Sequence, residues 1–236
     1  MDECNAIIKK ALQEGRSSLL ENEAKRICAL HHIPTPPHYL AKSVDEAMGK
    51  TDEIGFPIVL KIVSPKIIHK SDVGGVLLNI QDRHELSEAY NRLIGMIEKK
   101  IPSEEIVGVL VEKMMPPSTE LIIGGLRDPQ FGPSLMFGIG GIFTEVYNDV
   151  TFRVAPIDRK DAAEMIRELK GSKILEGIRG NPPADQEAII TILVNTSELL
   201  YEHEAINQLD LNPVMAYPKG VCAVDARIIL KDTKEG

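Results

Sequence analysis

The chain has 236 residues, of which 43% are hydrophobic and 26% charged, so it is long enough to bury a core. Its net charge of −8 and isoelectric point near 5.3 argue against a general nucleic-acid binder, which needs a basic face. Three widely spaced cysteines indicate neither a disulfide framework nor a zinc site, and the N-terminus lacks the apolar core of a signal peptide. We therefore expect a soluble cytoplasmic protein with one large domain or two small subdomains.

Helix and strand patterns alternate from the N-terminus onward. Residues 3–14 and 18–31 have the periodicity of helices, and a third helix is predicted at 43–53. His31 and His32 end the second helix, where a cation suits the helix dipole, so we interpret both as structural rather than as ligands. The alternation favours an α+β or α/β layer fold over a helix bundle.

The sharpest chemical signal lies in Phe56–Ile80, where two strand patterns flank a loop. Lys61 interrupts a β-branched apolar run, and because burying an unpaired ammonium is costly, a bound polyanion would explain it. The loop carries His69, then Gly74 and Gly75, which open a strand rather than the helix of a Walker P-loop. We interpret the segment as a β-loop-β flap whose peptide N–H groups can face phosphate oxygens. The alternative is an ordinary hairpin with a surface histidine.

The middle of the chain is rich in strand patterns. Residues 106–115 predict an apolar strand that ends at Pro116, which suits a hinge between subdomains. Gly138, Gly140 and Gly141 form a second glycine-rich loop, for which a tight turn is the alternative interpretation. Further strands are predicted at 119–126, 133–138 and 150–157, and further helices at 158–170 and 185–204.

The C-terminal segment Ala205–Leu230 predicts a hairpin with a polar patch. Alternation places Asp210 and Asn212 on one face, and Tyr217–Gly220 (YPKG) is a favourable turn. A hairpin centred on that turn sets Asn212 opposite Asp225, with Cβ atoms about 5 Å apart. Two carboxylates and one amide oxygen suit a Mg²⁺ ion that keeps water and phosphate ligands. A solvated polar hairpin face is the alternative.

These motifs occur in an order that resembles an ATP-grasp domain. Between residues 18 and 230 the chain is similar to the nucleotide-binding β subunit of ADP-forming acetyl-CoA synthetases, and more distantly to succinyl-CoA synthetase β subunits. The resemblance implies an α+β ATP-grasp fold with two α/β subdomains clamping the nucleotide. Its expected parts are an N-terminal helical arm (1–17), a small subdomain with the flap (18–112) and a large subdomain with the metal hairpin (113–236). The similar segments are FPIVLKIVSPKIIHKSDVGG, FGIGGIFTEVYNDVTFRVAPI and LDLNPVMAYPKGVCAVDARI.

The resemblance also implies roles for individual residues. His69 would accept a phosphoryl group from a phosphohistidine on a partner α subunit and pass it to ADP. Glu145 and Arg153, near the second glycine-rich loop, receive no defined role. The remaining residues would bind ATP or ADP and Mg²⁺. Lys61 would contact the α and β phosphates, Gly74 and Gly75 the phosphate edge, and Glu120 the ribose, while Glu112 and Met114 would bind adenine through main-chain groups. Asn212 and Asp225 would hold the Mg²⁺ ion, with Asp210 beside them.

The function implied is a ligase subunit that converts acyl-CoA, ADP and phosphate reversibly into the acid, CoA and ATP. It would work only with a CoA-binding α subunit, in an expected α2β2 assembly. A stand-alone ATP-grasp carboxylate ligase is disfavoured because 236 residues leave little room for an acceptor domain. A non-catalytic nucleotide-sensing subunit is the third possibility, and binding of nucleotide without phosphoryl transfer would distinguish it.

Overall fold

The structure is a computed structural model that describes residues 3–67, 69–141, 148–178 and 182–231. It divides into two compact units, which we name by their most informative segments. The flap unit comprises Leu20–Asn22 and Pro36–Pro116, and the hairpin unit comprises Met1–Leu19, Glu23–Thr35 and Pro117–Gly236. No helix within the described ranges is both long and apolar enough to cross a membrane.

Helices and strands alternate as the sequence pattern predicts, and both are present in each unit. The helices of the described residues are α1 (Glu3–Gln13), α2 (Glu21–Leu30), α3 (Val44–Ile54), α4 (Arg83–Ile97), α5 (Arg159–Glu168) and α6 (Gln186–Glu202). The strands are β1 (His38–Ala41), β2 (Ile58–Val63), β3 (Val76–Ile80), β4 (Gly108–Lys113), β5 (Thr119–Asp128), β6 (Gly132–Ile139), β7 (Val150–Val154), β8 (Ile206–Ala216), β9 (Val221–Ala223) and β10 (Ala226–Leu230).

The flap unit is a four-stranded antiparallel sheet with strand order β1-β4-β2-β3. Its core joins apolar residues of β2 and β4 to α4, including Leu60, Val111 and Leu93. Two helices begin at the side-chain caps that the sequence contains: Ser43 Oγ accepts the Glu46 N–H at 3.2 Å, and Asp82 does the same for α4. These caps fix where α3 and α4 begin relative to the sheet.

The hairpin unit is built on a six-stranded antiparallel sheet. Its strand order is β10-β8-β5-β6-β7, and β9 pairs with β8. Helices α1, α2, α5 and α6 contribute buried residues to its core, among them Ile8, Ile27, Met165 and Leu193. A reciprocal capping box between Asp158 and its third following residue begins α5.

The unit boundaries differ from those predicted. A break between residues 112 and 113 would cut β4, whereas the structure divides the chain between Pro116 and Pro117. The segment 1–17 is not a separate arm, because α1 buries Cys4, Ile8 and other apolar residues in the core of the hairpin unit. Residues 23–35, predicted to lie in the small subdomain, also belong to the hairpin unit. Segments 1–17 and 23–35 both belong to the hairpin unit because the apolar faces of α1 and α2 are buried in its core.

Candidate functional site

Lys61 lies on β2 and is 5% exposed. Its Nζ is 2.8 Å from Glu21 Oε1 and 3.1 Å from Glu112 Oε1. Lys70 Nζ lies 2.8 Å from the other carboxylate oxygen of Glu21, so two ammonium groups meet two carboxylates. The buried lysine therefore has carboxylate partners within its own unit, and no polyanion is needed to account for its burial. Sequence reasoning missed Glu21, since nothing in the sequence links it to a strand forty residues later.

Glu112 and Met114 were expected to bind adenine through main-chain groups. Glu112 lies in the central strand β4, opposite His38 of β1 and Val59 of β2, so its main-chain groups face neighbouring strands. The Met114 N–H donates to the Pro57 carbonyl at 3.0 Å. The main-chain groups of Glu112 thus face neighbouring strands, its side chain contacts Lys61, and the N–H of Met114 is used within the unit.

The loop between β2 and β3 places His69 in an exposed position. The next residue, Lys70, fixes the loop through its ion pair with Glu21. On the far side, Lys100 Nζ of the segment after α4 donates to the Val73 carbonyl at 2.9 Å. The exposed His69 thus directly precedes a loop segment that is anchored at Lys70 and at Val73, and residue 68 is outside the described residues.

Gly74 and Gly75 shape the same loop. Gly74 has φ +70°, a conformation that side chains rarely adopt. A Cβ on Gly75 would lie 2.5 Å from Ile62 Cγ2, so only glycine permits this close approach to β2. Both N–H groups donate within the loop, to Ser71 O at 3.1 Å and to Lys70 O at 2.7 Å. The expectation that they face phosphate oxygens therefore requires a rearrangement of the turn.

The C-terminal hairpin has the predicted register. Leu211 pairs with Ala226 and Val214 with Ala223, which sets Asn212 opposite Asp225. The turn closes with the Tyr217 N–H donating to the Gly220 carbonyl at 3.0 Å. Leu209 and Leu211 are buried on one face, while Asp210 is partly exposed and Asn212 exposed on the other. The alternation predicted from the sequence is confirmed.

The side chains on this face carry carboxylate and amide oxygens, the ligand type that a hard divalent cation prefers. Asp225 is held in place by its Oδ1, which accepts the Ala226 N–H at 2.9 Å. Asp210 lies opposite Arg227, and its Oδ2 is 3.7 Å from the guanidinium, which offsets part of its charge. Asn212 and Asp225, with Asp210 two residues before Asn212 on the same face, therefore remain the predicted metal ligands. The same hairpin register, applied to the sequence, would also have predicted that Arg227 lies opposite Asp210.

Asp185 holds the turn of this hairpin in place. The sequence predicted that a helix begins at Asp185 but did not predict its contact with the turn. Its Oδ1 accepts the Ala188 N–H at 3.1 Å as the N-cap of α6. Its Oδ2 accepts the Gly220 N–H at 2.9 Å, and its own N–H donates to the Tyr217 carbonyl at 2.8 Å. The hydrogen bonds from Gly220 and then Ala188 lower the pKa of the Asp185 carboxyl.

The remaining predicted residues lie elsewhere in the hairpin unit. Glu120 is exposed near the start of β5, and its carbonyl accepts the Gly140 N–H at 2.7 Å. Arg153 forms a bidentate ion pair with Glu168 of α5, at 2.6 and 3.0 Å, and these hydrogen bonds raise its pKa. Arg153 therefore ties β7 to α5. Glu145 lies outside the described residues.

Comparison with protein families identifies the class of the chain. A family model described as "ATP-grasp domain" matches residues 10–230, which is most of the sequence. The chain therefore belongs to the ATP-grasp family, and its α+β architecture is the one expected from the sequence.

Within that family the similarity extends to individual proteins. The chain is 48% identical over 224 residues to subunit beta of ADP-forming acetate–CoA ligase I from Pyrococcus furiosus, and the alignment covers 95% of this chain and 96% of that subunit. It is 43% identical over 229 residues to ADP-forming acetate–CoA ligase I from Archaeoglobus fulgidus, and this alignment covers 97% of the chain but 33% of that longer protein.

Solved structures of an acetyl-coenzyme A synthetase are also similar to this chain. A structure of the dinucleotide-forming acetyl-coenzyme A synthetase 1 of Ca. Korarchaeum cryptofilum, in complex with coenzyme A, Ca-AMPCP and HgCl⁺, matches with TM-score 0.93 and 51% identity. The match covers 96% of this chain and 99% of that one. A second structure of that enzyme contains coenzyme A and Mg-AMPPCP, with a phosphohistidine segment pointing towards the nucleotide-binding site. It matches with TM-score 0.86 and 48% identity, over 97% of this chain and all of that one.

Proposed function

We propose that this chain is the nucleotide-binding β subunit of an ADP-forming acyl-CoA synthetase. The reaction is the reversible conversion of acyl-CoA, ADP and phosphate into the carboxylic acid, CoA and ATP. A separate CoA-binding α subunit performs the acyl chemistry, in an α2β2 assembly. Near-full-length similarity to a subunit named beta supports this division of labour, as does the longer A. fulgidus relative, of which the chain matches one third.

The observation that carries the proposal is the exposed His69, which directly precedes a loop segment anchored at Lys70 and Val73. A neutral imidazole is a good nucleophile, and its nitrogen can take a phosphoryl group from a phosphohistidine of the α subunit. The terminal phosphate oxygen of ADP then attacks the same phosphorus, and the N–P bond breaks to restore the imidazole. The anchored loop limits the conformations that the imidazole must search.

The other residues bind and orient the nucleotide. Lys61 is proposed to attract the α and β phosphates, Gly74 and Gly75 to border them, and Met114 with Glu112 to line the adenine position. Glu120 is proposed to face the ribose. Mg²⁺ held by Asn212 and Asp225, with Asp210 nearby, would offset the negative charge of the phosphates.

Incubation of the purified chain with Mg²⁺ and ATP labelled in its γ-phosphate tests this proposal. We expect an acid-labile, base-stable label on the chain, because a phosphoramidate hydrolyses in acid. The label should be absent from His69→Ala and unchanged in His84→Ala, which removes an exposed histidine of α4. Binding of Mg-ATP without any label, also in the presence of the α subunit, would contradict phosphoryl transfer and favour a nucleotide sensor.

A further inference from the structure

Three metal-ligating side chains that have no part in the proposed nucleotide site meet in the hairpin unit. The ligand atoms of Cys4, His31 and His203 all lie within 4.8 Å of one another. The two Nε2 atoms are 2.9 Å apart, and the rings meet edge to face with centroids separated by 5.0 Å. Cys4 is 3% and His203 6% exposed, while His31 is partly exposed. His31 is therefore the member of the cluster that is most exposed to solvent.

The chemistry of this set selects a particular kind of ion. Zinc binds cysteine sulfur at about 2.3 Å and histidine nitrogen at about 2.0–2.1 Å, so atoms that share one zinc ion lie about 3–4 Å apart. Small adjustments of three side chains already within 4.8 Å satisfy that geometry. Magnesium prefers oxygen ligands and would not compete for a thiolate. We propose that Cys4, His31 and His203 form a Zn²⁺ site distinct from the oxygen ligands of the hairpin.

The backbone around the three side chains is held in place by contacts of neighbouring residues. Glu3 and Arg26 form a bidentate ion pair at 2.6 and 2.7 Å that joins the start of α1 to α2. Asn195 Nδ2 of α6 donates to the His32 carbonyl at 3.1 Å, which joins α6 to the end of α2. Arg127 donates to the Leu200 carbonyl at 2.6 Å and so fixes the end of α6. The site is thus preorganised by residues that do not bind the ion.

Cys4 lies in the first turn of α1, an 11-residue helix, so the positive end of the helix dipole is next to the sulfur that would bind the ion. On binding, the thiol proton passes to solvent as the Zn–S bond forms. The two imidazoles give up their mutual hydrogen bond, the one that donated it moves its proton from Nε2 to Nδ1, and each then offers an Nε2 lone pair to the ion. A solvent molecule reaching the ion past the partly exposed His31 completes the four-coordinate shell.

Titration of the full chain with Co²⁺, the spectroscopic substitute for Zn²⁺, tests the proposal. Excess Mg²⁺ occupies the oxygen site, and a phosphine keeps the cysteines reduced. We expect one equivalent to produce ligand-field bands and a thiolate-to-cobalt charge-transfer band, and Zn²⁺ to abolish both. Cys4→Ala and His203→Ala should lose the thiolate band. His32→Ala, an exposed neighbour outside the cluster, and Cys222→Ala, a cysteine of β9, should retain it.

A second variant separates loss of metal from loss of fold. His31→Gln changes the partly exposed member of the cluster, and its circular dichroism should match that of the unchanged chain. Equimolar Zn²⁺ should raise the Tm of the unchanged chain and of His32→Ala but not of His31→Gln. Absence of a thiolate band in the folded unchanged chain would overturn the proposal. A band of equal strength in Cys4→Ala would do the same.

Discussion

At the scale of single residues, Lys61 has two roles that ordinary mutagenesis would confuse. It is proposed to bind phosphate, and it also neutralises buried carboxylates of Glu21 and Glu112. Loss of nucleotide binding in Lys61→Ala alone would therefore not show which role had been removed. The stability of the chain without nucleotide separates them.

We expect Lys61→Ala to lower the free energy of unfolding by about 3–5 kcal/mol, because it leaves buried carboxylate charge uncompensated. Urea unfolding at neutral pH measures the change. The double variant Lys61→Met, Glu112→Gln should recover much of the loss, since it removes a charge of each sign. Lys50→Ala, which breaks an exposed ion pair with Glu53, is the matched control and should change stability far less. An equal effect of Lys61→Ala and Lys50→Ala would contradict the structural role.

The sequence identified Lys61 but not its partners. A lysine in an apolar strand signals that a counter-charge exists, whereas the identity of that counter-charge depends on tertiary packing. Glu21 begins α2 and carries no local mark that would connect it with β2. The same reasoning applies to His31, which its position at the end of α2 led us to interpret as structural. Its neighbours Cys4 and His203 lie far away in the sequence.

At the scale of elements, the C-terminal hairpin was the most predictable part of the chain. A four-residue turn sets the register of the strands that flank it, and binary alternation sets which side chains share a face. The placement of Asn212 opposite Asp225 followed from these local rules alone. What they could not show is that Asp185, on a different element, holds the turn through the Gly220 N–H.

We expect Asp185→Ala to loosen the hairpin turn as well as the start of α6. Amide hydrogen exchange should accelerate at Gly220 and at Ala188, which lose their acceptors. Asp158→Ala removes the N-cap of α5 and is the control, since exchange at Gly220 should not change in that variant. Protection of Gly220 that survives in Asp185→Ala would show that the carboxylate does not hold the turn.

The same interaction carries a pH dependence with a defined sign. The pKa of Asp185 is lowered in the folded chain, so its stabilising effect is fully present above the usual pKa of an aspartate. That effect is lost as the pH falls through the folded value. The stability difference between the unchanged chain and Asp185→Asn should therefore be largest near neutral pH and shrink in acid. Urea unfolding over a pH series measures it, and a difference that grows in acid would contradict the assignment.

At the scale of the whole molecule, the order of motifs predicted the ATP-grasp fold, but the limits of the two units were not predictable. The apolar faces of α1 and α2 resemble those of many amphipathic helices, and the sequence alone does not show which sheet they cover. In the structure, Cys4, Ile8 and Ile27 are buried in the core of the hairpin unit, together with residues of strands far away in the sequence. The separation between Pro116 and Pro117 lies beyond the end of β4, where the chain leaves the flap unit.

The central claim is that His69 transfers a phosphoryl group for a two-subunit synthetase. The most direct test is ATP formation from acetyl-CoA, ADP and phosphate by this chain reconstituted with its CoA-binding α subunit. We expect His69→Ala to reduce the rate at least 100-fold, in line with the contribution of a nucleophilic group, while the Kd for Mg-ADP stays within about twofold. His84→Ala should retain the full rate. Undiminished ATP formation by His69→Ala would contradict the account.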